Sequence, residues 1–279
     1  MIQEITPHSY HNEYKNTSPA ADSPVLICGE RTVLLKLQDE LIVYPTWKEV
    51  TEILPDAGER CRFLFTIDDT DYFGITGDMT EPFGDYTYQR LSFLRTAEPQ
   101  FLAFAGMVAH QLLDWYRSAC FCGACGTKTA HSDTERAMVC PNCGRVEYPR
   151  IAPAVIVGIL HSGKLLLTKY QGRDYKKFAL IAGYAEIGET IEETVYREVM
   201  EEVGLKVKNL RYYKCQPWPL SGTLLFGFYC DLDGEEDITL DRSELSMAQW
   251  YRPEEIDLSG DNISLTKEMI TRFCHGETC

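Results

Sequence analysis

The segment from Gly183 to Leu205 restricts the fold of this chain more than any other. Thr190 and Glu193 stand three apart as a capping box, so the spacing predicts a helix beginning at Ile191 and running to Val203. Ile191, Val195 and Val199 follow at four-residue steps and give that helix an apolar stripe, with the carboxylates on another face. Glu198 and Glu202 are one turn apart and Glu201 is three residues from Glu198, so the three side chains project from neighbouring surface positions. Like charges so placed cost roughly a few tenths of a kcal/mol per pair unless something offsets them. Hard divalent cations do so, and Mg²⁺ in particular is held by a few carboxylates, water and substrate phosphates. Arg197, four residues before Glu201, can orient or neutralise a carboxylate in the same patch. The competing reading of such a run is a solvated acidic helix.

A second constraint is set by cysteine spacing. Cys122-Gly-Ala-Cys125 and Cys140-Pro-Asn-Cys143 are two C-x-x-C pairs with 14 residues between them, one short of the usual range for four-cysteine zinc sites. Each pair runs into a glycine, Gly126 or Gly144, that can take positive φ and turn two sulfurs toward one ion. Four thiolates close a tetrahedron and leave no position for water, so the ligand count predicts structural Zn²⁺. Redox pairs or buried free thiols are the alternative. His131 lies in the intervening loop, where it could replace a thiolate, but a solvated histidine is the preferred reading. Eleven cysteines in 279 residues, behind a start (Met1-Ile2-Gln3-Glu4) that opens no signal peptide, point to reduced thiols rather than a disulfide scaffold.

Composition bounds the rest. With 44% apolar and 25% charged residues the chain reads as globular, and its length suggests two domains. A formal charge of −15 repels phosphate backbones over the molecule as a whole, and the cysteine insert carries no basic stripe. The longest clean apolar run, Ala154 to Leu160, falls far short of the roughly 20 residues that span a bilayer. The expectation is a soluble cytoplasmic protein with no membrane partner. By texture the chain divides into residues 1–100, mostly β, with apolar runs at 25–28, 32–37, 41–44 and 63–67; a connecting amphipathic helix over 101–119; the cysteine insert at 120–150; and 151–279. In the last part a hairpin over 154–160 and 165–168 is followed by the acidic helix. Strands are expected near 210–215, 224–231 and 248–251, with a terminal helix near 265–273. The class is α+β.

The acidic segment resembles the Nudix box, Gly-x5-Glu-x7-Arg-Glu-aliphatic-x-Glu-Glu-x-Gly-aliphatic, at Gly183, Glu189, Arg197, Glu198, Val199, Glu201, Glu202, Gly204 and Leu205. Seven fixed letters at about 6% usage each coincide by chance on the order of once in 10⁸ starting positions. The resemblance implies a Nudix α/β/α sandwich that hydrolyses a nucleoside diphosphate linked to another moiety. It implies Glu198, Glu201 and Glu202 as ligands of Mg²⁺ or Mn²⁺, with Glu201 or Glu202 as base for the attacking water. Glu189 then supports the cluster and the Ala182 carbonyl adds a ligand.

Downstream, Cys215-Gln-Pro-Trp-Pro-Leu-Ser-Gly-Thr223 resembles the NADH pyrophosphatase signature Ser-Gln-Pro-Trp-Pro-Phe-Pro-x-Ser. It shares Gln216, Pro217, Trp218 and Pro219 and departs at Cys215, Leu220, Ser221 and Thr223. A tryptophan between two prolines offers a rigid aromatic surface beside a polar glutamine, suited to stacking on a base and reading its edge. With the four-cysteine insert immediately upstream, residues 95 to 275 are similar to the NADH pyrophosphatase family. That resemblance implies hydrolysis of NADH or NAD⁺ to nicotinamide mononucleotide and AMP, removal of NAD caps from RNA, and a homodimer. It further implies substrate contacts at Arg95, Glu135, Tyr148, Tyr184 and Thr266 and along Gln216 to Thr223, Gly222 included. Tyr148 and Tyr184 stand as neighbours of nicotinamide, Tyr148 from this subunit or its partner, and Glu244 completes the metal site. The other readings are a Nudix pyrophosphatase preferring ADP-ribose, nucleotide sugars or dinucleoside polyphosphates, and a non-enzymatic zinc-ribbon binding module.

Overall fold

The apolar runs become strands, and the chain gathers them into two units. The computed structural model describes residues 1–77, 83–172, 177–260 and 262–278. One unit comprises Ile2–Arg150 with Pro219–Ser221; the other comprises Ile151–Trp218 and Gly222–Cys279 with Met1.

The first unit is sheet-rich. Its strands are β1 (Tyr10–His11), β2 (Val25–Ile27), β3 (Thr32–Gln38), β4 (Leu41–Val43), β5 (Cys61–Ile67), β6 (Thr70–Ile75) and β7 (Thr87–Arg90), paired in the orders β1-β5-β6-β2 and β4-β3-β7. Two short helices interrupt them, α1 (Trp47–Ile53) and α2 (Ala57–Arg60). A capping box starts α1: the Glu49 amide donates to Thr46 Oγ1 at 3.4 Å and the Thr46 amide to Glu49 Oε2 at 2.8 Å. The connecting helix is α3 (Gln100–Ser118), and it corrects the one-faced reading. Residues 103–107 are buried consecutively, so α3 is enclosed on more than one side and acts as a core helix of this unit. Three two-residue strands, β8 (Ala130–His131), β9 (Met138–Val139) and β10 (Val146–Glu147), make the small sheet of the cysteine insert in the order β10-β9-β8.

The second unit is built on β11 (Ala152–His161), β12 (Lys164–Tyr170), β13 (Ile181–Tyr184), β14 (Val207–Trp218), β15 (Thr223–Leu232) and β16 (Leu245–Tyr251), with helices α4 (Ile191–Val203) and α5 (Leu265–Cys274). The sheet runs β14-β15-β11-β12-β16, and β13 pairs antiparallel with β11. The β11–β15 pair is parallel. His161 pairs with Lys164, leaving Ser162 (φ 48°) and Gly163 (φ 75°) as a two-residue turn with positive φ at both positions, the twist-compatible hairpin connection. Alternate residues of β11 serve opposite layers. Val155, Val157 and Ile159 pack with Val195, Val199 and Val203 of α4, while Ile156 packs with Leu265, Met269 and Ile270 of α5. The result is an α/β/α arrangement.

Two details go beyond the sequence expectation. The strand expected at 210–215 continues through Gln216, Pro217 and Trp218, which is permitted because β14 lies at the sheet edge, where a proline without an N–H removes no central ladder bond. The four-residue β13 places Gly183 opposite Val155 and feeds the chain toward α4.

Candidate active site

The four cysteines converge. Cys122 and Cys143 sulfurs are 3.6 Å apart, Cys125 and Cys140 3.5 Å, and Cys125 and Cys143 3.7 Å. Four sulfurs at the usual Zn–S bond length stand about 3.8 Å apart along a tetrahedron's edges, so the donors already sit at the spacing Zn²⁺ requires. Both turns close alike: Gly126 donates to the Cys122 carbonyl at 2.9 Å and Gly144 to the Cys140 carbonyl at 3.0 Å, with φ of 71° and 74°. The Ala124 and Cys143 amides point at the Cys122 and Cys140 sulfurs, at 3.4 and 3.5 Å. This is a structural zinc site. His131 stands apart from it: Tyr116 Oη lies 2.8 Å from its Nε2, and burial pushes its pKa down.

The acidic helix keeps its expected bounds. The Glu193 amide donates to Thr190 Oγ1 at 3.1 Å and the Thr190 amide to Glu193 Oε2 at 2.8 Å. The end is made by Gly204, left-handed at φ 68°. The expectation of three surface carboxylates holds for Glu201 alone: Glu198 is only 9% exposed and Glu202 3%, because α4 presses this side against β13 and β11.

Arg197 organises the patch. Its Nε and Nη2 donate to the two oxygens of Glu189 at 2.6 and 2.9 Å, and Nη1 donates to Glu198 at 2.7 Å and Glu201 at 2.9 Å. Nη2 also reaches the Tyr184 carbonyl at 2.8 Å, fastening the end of β13 to the helix. The paired guanidinium holds the Glu189 carboxyl down at about 2, helped by the Glu186 amide. Burial pushes the Glu198 carboxyl up; the Arg197 hydrogen bond works against that shift, and the charges of Glu201 and Glu244 add to it. The charge of Glu244, in the loop before β16, thus reaches Glu198.

The donor set fits a hard divalent cation. It is all oxygen, and two of its carboxylates, Glu198 and Glu202, are buried, where a divalent cation would be held out of bulk water. Among the described residues, the four cysteines form a group whose ligand atoms all lie within 4.8 Å of one another. No carboxylate group among the described residues meets that spacing; Glu189, Glu198 and Glu201 are instead bridged by Arg197. Ala182 lies on β13 opposite Ile156. Gly183 is placed so that any Cβ would overlap the Glu198 carboxylate, a physical reason for glycine there that spacing alone did not supply.

The remaining sequence-predicted residues separate. Tyr148, 53% exposed, donates its hydroxyl to Glu135 Oε1 at 3.1 Å, so these two are together in the first unit. Arg95 ends a 3-10 turn in that unit. Tyr184 is exposed at the end of β13. Trp218 pairs with Thr223 across the tip of the β14–β15 hairpin, whose turn holds Pro219, Leu220, Ser221 and Gly222, the last at φ 67°. Pro217 is exposed, and Thr266 lies in the first turn of α5. Gln216 requires a correction. It is 0% exposed, its Nε2 donates to the Ile263 carbonyl at 2.7 Å and its Oε1 accepts from the Leu265 amide at 2.6 Å. With the amide consumed inside the fold, Gln216 ties β14 to α5 and has no edge to offer a base. No sequence signal marks this, because the partners are 47 and 49 residues away.

Comparison with known proteins agrees with this geometry. Residues 150–273 match the NUDIX domain, and residues 117–148 match the NADH pyrophosphatase zinc ribbon domain. The NAD-capped RNA hydrolase NudC of Photorhabdus laumondii is 41% identical over 160 residues, 57% of this chain and 62% of that protein. That of an Enterobacter species is 45% identical over 148 residues, 53% of this chain and 57% of that protein. The chain thus spans about three fifths of the length of these relatives. A crystal structure of a NUDIX hydrolase from Nitrosomonas europaea superposes with a TM-score of 0.50 at 21% identity, covering 57% of this chain and 94% of that one, and bears on the fold alone. The chain therefore carries a NUDIX domain preceded by an NADH pyrophosphatase zinc ribbon.

Proposed function

We propose that this chain hydrolyses the pyrophosphate bond of NADH or NAD⁺, giving nicotinamide mononucleotide (reduced or oxidised) and AMP, and that the same reaction removes NAD caps from RNA 5′ ends. The observation that carries the reading is the α4 cluster: Arg197 draws Glu189, Glu198 and Glu201 together beside the buried Glu202. The zinc ribbon and the relatives' printed names support the choice of dinucleotide.

Glu198, Glu201, Glu202 and Glu244, with the Ala182 carbonyl, are the residues that would hold Mg²⁺ or Mn²⁺. When bound, such ions supply charge neutralisation for the diphosphate and a lowered pKa for water. The chain's own groups do the rest. Glu202 or Glu201 accepts the proton of the water that attacks phosphorus, and the P–O bond of the bridging oxygen breaks toward the leaving nucleotide. Arg197 keeps Glu189 and Glu198 from swinging away and offsets their repulsion. Tyr184 and Tyr148 are each proposed, by the resemblance, as neighbours of the nicotinamide, and Glu135, Arg95, Thr266 and the Trp218 hairpin as further substrate contacts. Residues 1–100, 101–119, 120–150 and 151–279 serve as N-terminal region, helix, ribbon and hydrolase. The acting form is proposed to be a cytoplasmic homodimer. No helix among the described residues is long and apolar enough to cross a membrane.

The test incubates zinc-loaded protein with Mg²⁺ or Mn²⁺ and NADH, NAD⁺, ADP-ribose or a nucleotide sugar, and separates the products chromatographically. Cleavage of NADH or NAD⁺ to the mononucleotides is expected, with Glu202→Gln removing most turnover while fold and zinc content stay. Intact dinucleotide beside cleaved ADP-ribose or nucleotide sugar would move the substrate assignment.

A further inference from the structure

The sheet face opposite α4 carries a cavity that the acidic cluster does not use. It measures about 290 Å³, and its wall includes Lys169 of β12, Lys177, Asp257, and Ser264, Thr266 and Lys267 at the start of α5. Its floor is apolar: Phe178, Ile256 and Ile270 belong to the core under α5, whereas Val195 and Val199 belong to the core under α4. Among the described residues its charged lining is three lysines against one aspartate, a local reversal of sign in a chain of net charge −15.

The single carboxylate is already engaged. The Ser259 amide and hydroxyl donate to Asp257 at 2.8 and 2.7 Å, and these bonds, with the fields of Lys267 and Lys177, hold its carboxyl below the usual range. Lys267 is steadied by its bond to the Ser259 carbonyl at 3.1 Å, and Lys169 stands 4.8 Å from the centre of the Phe178 ring. The α5 side of the wall is rigid for the reason already given: Gln216 grips Ile263 and Leu265, the residues on either side of Ser264. Three lysines and two hydroxyl residues lining one cavity match a multi-oxygen anion, and an aromatic and aliphatic floor matches an attached ring.

We propose that this cavity is a phosphoryl-binding site, in which Lys169, Lys177 and Lys267, with the hydroxyls of Ser264 and Thr266, hold a phosphate ester bearing an apolar or aromatic group. Whether that phosphate belongs to RNA attached to the dinucleotide or to a separate small ester rests on the proposed hydrolysis; the anion site does not.

The experiment titrates inorganic phosphate, then AMP, into the full zinc-loaded chain at low salt without divalent cations, followed by calorimetry. Wild type is expected to bind both, more weakly as salt rises, and K169Q/K177Q/K267Q to lose affinity by about tenfold per lysine, the scale of a charge-assisted bond. The single variant K177Q, read beside a melting curve, guards against a triple variant that fails to fold. Wild type that binds neither probe, or variants that bind phosphate as tightly as wild type, would overturn the proposal. Turnover then names the source: a loss in kcat/KM on an NAD-capped oligonucleotide that free NAD does not share assigns the RNA backbone, and unchanged turnover on both, beside lost phosphate binding, assigns a separate small phosphate ester. Absence of NAD cleavage by wild type would count against the proposed hydrolysis and leave the titration to decide the anion site.

Discussion

Substituting Gly183 by alanine tests whether close approach of backbone and carboxylate matters to the chemistry. The added Cβ would fall nearer than 3.0 Å to all three atoms of the Glu198 carboxylate, a spacing that real Cβ atoms essentially never show. Ordinary contact begins at about 3.5 Å, so either the carboxylate retreats by roughly an ångström or more, or β13 lifts from β11. Retreat breaks the 2.7 Å bond from Arg197 in a side chain that is 9% exposed and has little room. A displacement of about 1 Å at a reacting centre costs on the order of 10²-fold in rate, and overpacking of this kind costs about 1–3 kcal/mol in stability. Metal-dependent NADH turnover should therefore fall by about two orders of magnitude in Gly183→Ala, with urea denaturation showing the smaller stability loss. Gly58→Ala, with open space around the new methyl, should change neither by much. Adding Glu198→Asp to Gly183→Ala shortens the side chain by about 1.5 Å and should return stability without returning full activity. Turnover of Gly183→Ala within threefold of wild type, at unchanged stability, would refute the account of both Gly183 and Glu198.

Other outcomes follow from other sites. Gln216→Leu strands the Ile263 carbonyl and the Leu265 amide in a buried setting, at about 1–3 kcal/mol each, so the urea midpoint should drop sharply. Gln216→Glu, which cannot donate to Ile263, should lose part of the same stability. Cys140→Ser should cost the bound zinc, read by metal analysis, and leave residues 122–147 open to protease while α4 keeps its protection from hydrogen exchange. The Arg211 guanidinium grips both oxygens of Asp231, at 3.0 and 2.9 Å, and holds its carboxyl below the usual range. The pair's stabilisation is thus present above about pH 4 and lost as pH falls through the lowered folded-state value. Arg211→Met should flatten that acid limb by less than about 1 kcal/mol, since both side chains keep solvent contact; an unchanged limb would show the pair to be without weight.

Features closed within a few residues were legible in the chain itself. Thr190 and Glu193 complete their capping box within one turn, so the bounds of α4 could be read from sequence. Each cysteine pair closes its turn over five residues, so the zinc geometry followed from spacing. The α1 capping box, Thr46 with Glu49, carries the same local signal. Burial was another matter. Helical spacing put Glu198, Glu201 and Glu202 side by side, but which of them faces the sheet depends on how α4 lies across β11 and β13. Gln216 looked like a recognition group beside Trp218 until α5 claimed its amide, and the lysines at 169, 177 and 267 meet only where β12 and α5 share a sheet face. Sequence alone determined the acidic helix, the four-sulfur clasp and the chemistry they suit, because hydrogen bonding and ligand reach over one turn do not depend on distant packing. Tertiary structure alone decided which carboxylates are buried, why glycine must stand at 183 and where cations gather, because those properties arise when segments far apart in the chain exclude water together.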